Sequence, residues 1–114
     1  RRRVLHKFLD IMESVESVNK WCGTASEHLN QDAALDRPVD EDVFSQIRQI
    51  DYLLSKSREL KLRTRPDFED TFEDVKDLMS AQTLFAVDDA LEQLENVTYR
   101  VMQRREELRS RATR

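Results

Sequence analysis

Apolar residues in the first thirty positions recur in alternating steps of three and four: Phe8, Ile11, Val15, Val18, Cys22, Ala25 and Leu29. A mean spacing of 3.5 residues keeps one stripe facing its partners as helices supercoil to the left, which is the seam of a coiled coil. Val4 extends the stripe one step back, and Leu5, Met12 and Trp21 widen it, as a helix packed between two neighbours requires. The spacing predicts a first helix over residues ~3–31. The stretch from Gln31 to Val39 reads as a loop, because Pro38 disfavours helical geometry at Arg37. Asp40 is expected to cap a second helix, with Glu41 and Asp42 favourable in its first turn.

The second stripe runs Val43, Ile47, Ile50 and Leu54, weakens at Ser57, Lys61 and Thr64, and resumes at Phe68, Thr71, Val75 and Leu78. Pro66 interrupts it, and an interior proline costs a helix ~3 kcal/mol through a lost hydrogen bond and a clash with the preceding turn. Thr64 and Asp67 stand as an N-cap and N3 pair for a fresh start. A straight helix over 40–79 would measure about 60 Å against about 43 Å for the first helix. The second helix is therefore expected over ~40–63, continuing over ~66–79, with a kink or small loop within 61–67. A third stripe, Leu84, Val87, Leu91, Leu94, Thr98, Val101, Arg105, Leu108 and Ala112, predicts a helix over ~83–112. A lone helix would leave its stripe in water, so three stripes of matched length imply each other. Short connections make consecutive helices antiparallel.

The expected fold is all-α, an antiparallel three-helix left-handed coiled-coil bundle forming a single domain over 1–114. Its expected core is Phe8, Ile11, Val15, Val18, Trp21, Cys22 and Leu29 from the first helix, and Val43, Ile47, Ile50, Leu54, Phe68, Val75 and Leu78 from the second. The third contributes Leu91, Leu94, Val101 and Leu108.

Composition agrees with thin, wet helices. Hydrophobic residues make up 39% and charged residues 37%, too apolar-poor for a thick multilayered core. One Gly and two Pro are too few for folds rich in tight turns. The net charge of −4 supplies no global attraction to nucleic acid or acidic lipid. A single cysteine forms no internal disulfide and suits a reducing compartment. Asp10, Glu13 and Glu16 break any signal-peptide pattern after the three leading arginines, and no apolar run approaches the ~18 residues a membrane helix needs. The chain starts and stops within its pattern and is expected to be a fragment of a longer protein.

Trp21, Cys22, Ala25 and Leu29, inside WCGTASEHL, together with Leu91, Leu94, Val101, Arg104, Arg105 and Leu108 on the third helix, resemble the motifs of spectrin repeats. The resemblance spans essentially the whole chain. It departs at two places: no third-helix tryptophan is present, Val97 and Thr98 standing near its place, and Lys61 to Pro66 looks like an insertion. In both respects the chain is more similar to divergent repeats of signalling scaffolds, plakins or Dbl-type exchange factors. The resemblance implies that Trp21 is a core anchor and that helix faces serve partners.

Candidate chemistry is sparse. His6, His28 and Cys22 match no zinc spacing, so no metal and no cofactor are expected, and Cys22 on the seam is expected to be an inert buried thiol. Asp67, Glu69, Asp70, Glu73, Asp74 and Asp77 form an acidic run without the glycine-centred pattern of a calcium loop. Its expected state is a solvated helix face, with docking of a basic partner as the functional reading. Arg100, Arg104, Arg105, Arg109, Arg111 and Arg114 bias the other end of the chain, diluted by Glu106 and Glu107 and without interleaved aromatics for stacking bases. No nucleophile–base pair or phosphate loop is present, so no catalytic residue is expected. The expected function is a non-catalytic structural and scaffolding module in a cytoplasmic, cytoskeleton-associated or signalling protein. Its partners would be other proteins and adjacent repeats of the same chain, not nucleic acid; contact with membrane lipid has no support in the sequence. The alternative is a regulatory module of a Dbl-type guanine nucleotide exchange factor that docks a partner domain or an anionic phosphoinositide surface.

Overall fold

The structure, a computed structural model, describes residues 2–34 and 43–113. Every regular element among them is helical. Helix α1 spans Arg2–Ala34 and α2 spans Val43–Pro66. A π-helical turn, Asp67–Thr71, leads into the short α3, Phe72–Val75, and a 3₁₀ turn, Lys76–Leu78. Helix α4 spans Ala81–Ala112. The first helix thus continues through positions 31–34, where a loop was expected; the remainder of that loop and the Asp40 cap lie outside the described residues.

Cross-helix bonds set the directions. Lys7 of α1 meets Asp74, Ser14 meets Asp67, and Trp21 meets Leu53, so the numbering falls on the second helical segment as it rises on α1. Asp51 meets Arg105 and Ser57 meets Thr98, which reverses direction again at α4. Three long antiparallel-neighbour helices make a rod of 59 × 22 × 16 Å.

The core runs along the rod as one stripe. On α1 it comprises Ile11, Val15, Val18, Trp21, Cys22, Ala25 and Leu29, all buried. From the second segment Ile50, Leu53, Leu54, Leu60 and Val75 enter it, and from α4 Val87, Ala90, Leu94, Val97, Val101 and Leu108. Phe8, Val43, Ile47 and Phe68 pack against its edge, half-buried.

Two expected core residues lie outside. Leu91 is 37% exposed, because fully buried Ala90 takes the inward position beside it. A stripe of Val87, Ala90, Leu94, Val97 and Val101 satisfies the same three-and-four alternation as one through Leu91, and the smaller residue sits at the inside. Leu78 is 68% exposed. The helix ends just there, and Met79, in extended backbone (φ −86°, ψ 143°), turns back and closes the core in its place.

The second helix is irregular at the edge of the expected 61–67 interval rather than broken inside it: α2 runs through Pro66, and a π-turn begins at Asp67, in place of a fresh helical start near 65. Thr64 is no N-cap: its hydroxyl donates to the Leu60 carbonyl at 2.7 Å, inside the helix. Pro66 removes the amide that would bond to the Leu62 carbonyl, but both residues are exposed, so that carbonyl sits on the solvated side of the helix. The widened turn then absorbs the local misfit, with the Phe72 N–H reaching back to the Asp67 carbonyl.

At α4 the start is well made. Ser80, in extended backbone, accepts from the Thr83 N–H at 3.2 Å, satisfying one of the unpaired first-turn donors.

Candidate interaction surfaces

Trp21 occupies the line where α1 faces α2. It is 8% exposed, and its indole Nε1 donates to the Leu53 carbonyl at 3.1 Å. An aromatic of this size needs a partner for its single polar atom when buried. A mid-helix carbonyl has a second lone pair free for that purpose.

Hydroxyl groups recur along the interior. Ser57 and Thr98, from α2 and α4, share a 3.0 Å hydrogen bond at 1% and 9% exposure. The Ser14 hydroxyl donates to Asp67 Oδ2 at 2.6 Å, which fixes the first residue of the π-turn against α1. Ser57 and Thr64 stand where the second stripe weakens in sequence, and Thr98 stands on the third stripe; the signal of these three is that they keep the heptad spacing while changing chemistry.

The acidic run is partly consumed by the fold. Asp67 accepts from Ser14, Asp74 pairs with Lys7 at 2.9 Å, Glu69 with Arg65 at 3.1 Å and Glu73 with Lys76 at 2.8 Å. Glu73 holds the Lys76 ammonium above the ordinary lysine range, through its hydrogen bond first and its charge second. Exposed pairs of this kind add little stability, because water screens them and ordering two long side chains costs entropy. The structure therefore brings Asp67 and Asp74 onto α1, while Glu69 and Glu73 engage cations of their own segment.

The basic end shows the same thrift. Arg104 reaches the Leu29 carbonyl at 3.5 Å, and Arg111 pairs with Glu107 at 2.9 Å. Arg105 Nε lies 2.9 Å from Asp51 Oδ1 but out of line for a hydrogen bond, so the contact between α4 and α2 is chiefly coulombic.

The surface feature that sequence reading missed is a groove between α1 and α2. One stretch has about 520 Å³ of space above a floor of Trp21, Leu53 and Leu60, with Tyr52 at its side. Lys56 stands 5.4 Å from the Tyr52 ring centroid, a cation–π contact. A second stretch of about 550 Å³ shares Ser17, Lys20 and Arg63 with the first and continues past Asp10, Glu13, Glu16 and Asp67. Each helix alone carries half of the signal. Ser17, Lys20 and Thr24 on α1, and Lys56, Glu59 and Arg63 on α2, repeat at three and four beside the apolar seams. Two polar stripes facing each other do not close over an interface, and α1 and α2 pack less closely than either does against α4.

Cys22 is a buried free thiol, and desolvation, followed by the negative charge of Asp89, pushes its pKa up. A thiolate is disfavoured there, which makes the sulfur a poor nucleophile. Among the described residues no group of three or more His, Cys, Asp or Glu side chains is placed to hold a metal ion, and no helix is long and apolar enough to cross a membrane. Comparison with protein-family models, with curated proteins and with solved structures returned no match.

Proposed function

We propose that the chain is a left-handed coiled-coil bundle of the spectrin-repeat type, acting as a non-catalytic spacer and interaction module in a cytoplasmic, cytoskeletal or signalling protein. One observation carries this reading. Helices α1 and α4 run the same way along a rod 59 Å long, so α1 begins at one end and α4 finishes at the other. Sequence attached before α1 and after α4 would be held apart by the length of the rod, and a continuation of α4 would leave along its axis. The interior supports rigidity: a continuous apolar stripe from Ile11 to Leu29 on α1 locks against α4, while Trp21 and Ser57 tie the helices by directional bonds.

The test is a distance measurement. Donor and acceptor fluorescent domains fused to the two termini should show weak energy transfer, fitting a separation set by the 59 Å rod, and the value should not change with added crowding agent. Transfer that climbs steadily under crowding, as in a flexible tether, contradicts spacing as the function.

A further inference from the structure

We propose that the α1–α2 groove is the docking site of an amphipathic helix from a partner protein, one half of it apolar and the other rich in Lys or Arg. The proposal rests on the reading of the chain as an interaction module and names the surface and the partner's chemistry. Three features argue for it together.

The first stretch of the groove has an apolar floor: Trp21, Leu53 and Leu60 keep a small part of their surface, under 10% each, turned to the open space between walls that carry Lys20, Lys56, Glu59 and Arg63. An apolar stripe on an incoming helix would cover that space as a fourth member of the bundle, in the helix-in-groove manner. Length fits as well. From Thr24 to Asp10 the groove follows four turns of α1, about 21 Å, which a helix of about 14 residues spans.

Charge then selects the partner. Beyond Lys20 the groove wall carries Asp10, Glu13 and Glu16 from α1 and Asp67 from the π-turn, against the cations Lys20 and Arg63. The three α1 carboxylates are exposed and stand at helical spacing of three along one face. A basic half-helix lying over them gains coulombic attraction on approach, whereas an acidic one is repelled, so the acidic wall fixes both partner class and direction. Asp67 is held in place by the 2.6 Å bond from Ser14, which pre-orders this wall before anything binds.

Trp21 is the single tryptophan of the chain and lines this floor, so its fluorescence reports occupancy directly. The probe is a synthetic helical peptide of about 16 residues, leucines three and four apart in one half and lysines in the other. A control peptide replaces the lysines with glutamates. The lysine peptide should shift Trp21 emission saturably, bind at least tenfold more tightly than the glutamate peptide, and weaken as salt is added. In the double variant Glu13→Lys/Glu16→Lys, at two exposed positions where folding is preserved, the preference should invert. Failure of the lysine peptide to perturb Trp21, equal binding of both peptides, or no inversion in the double variant overturns the proposal. Concentration-dependent dimerisation that is lost in the double variant also overturns it, since a second copy would then be the occupant. The end-to-end distance of the fused rod is read separately, so a negative peptide titration leaves the spacer reading standing and a collapsed rod leaves the groove result interpretable.

Discussion

The hydrogen bond between Ser57 and Thr98 invites an asymmetric double-mutant cycle. Each hydroxyl is buried, and each has one obvious substitute acceptor, the carbonyl four residues back in its own helix. For Thr98 that carbonyl belongs to Leu94. For Ser57 it belongs to Leu53, whose oxygen already takes the helical N–H and the Trp21 indole at 3.1 Å. Removing Ser57 thus leaves Thr98 a way out, while removing Thr98 leaves Ser57, at 1% exposure, without its partner and with the usual refuge occupied.

Magnitudes follow. Ser57→Ala loses a bond worth about 1 kcal/mol, part of which Thr98 recovers on Leu94 and part of which alanine's better helix propensity offsets. The expected cost is under about 0.5 kcal/mol. Thr98→Val keeps the shape but strands a buried hydroxyl, a cost of about 1–2 kcal/mol. The double variant Ser57→Ala/Thr98→Val removes both polar groups and should return to within about 0.5 kcal/mol of the parent, because an apolar pair of the same shape has nothing left unsatisfied. Urea unfolding followed by helical circular dichroism resolves these differences. In thermal melts 1 kcal/mol corresponds to about 4 °C for a domain of this size. If Thr98→Val melts with the parent, or the double variant melts no higher than Thr98→Val, the account of this polar contact is wrong.

Further outcomes follow from other sites. Ile50→Asp, at 2% exposure, should cost about 4 kcal/mol or more and abolish the cooperative helical melt, whereas Leu91→Asp, at 37%, should cost about 1 kcal/mol or less; equal effects would contradict the assigned inward face of α4. Gly23→Ala should raise the melting temperature by about 4 °C, since a Cβ there meets nothing within 4 Å and a helical glycine costs about 1 kcal/mol; a drop would show an unseen close contact. Burial raises the Cys22 thiol in the folded chain, so the unfolded chain ionises first as pH climbs past about 8.5. Stability from this group is full below that pH and is lost on rising through the window up to the folded pKa, so urea midpoints should fall more in the parent than in Cys22→Ala across pH 8–10. Parallel curves for the two proteins would refute the linkage.

How much of this was readable beforehand depends on which physical quantity the pattern encodes. Periodicity encodes direction, and on α1 Ile11, Val15, Val18, Cys22 and Leu29 each occupy the buried stripe their spacing dictates, whereas Val4 and Leu5, assigned to the same stripe near the helix start, lie exposed. It fails where two stripes fit equally. Leu91 and Ala90 lie one position apart, both within the alternation, and the choice between them turns on how closely α4 approaches its neighbours, which a single sequence does not state. Backbone irregularity was legible as a location and not as a form. Pro66 announced a disturbance, but whether the chain breaks before it or widens after it depends on contacts from another helix, among them Ser14 to Asp67 across 53 positions. The groove was hidden for a related reason. Ser17, Lys20 and Arg63 read individually as solvated surface, and each is ordinary alone. Set opposite one another by the antiparallel run of α1 and α2, they line a space that stays open where these two helices pack less closely than either does against α4. Spacing within a helix belongs to the chain, whereas the facing of two polar stripes belongs to the pair. Surfaces that could receive a partner are properties of pairs, so in a bundle of this kind the core is the part a sequence announces and the docking face is the part that folding has to reveal.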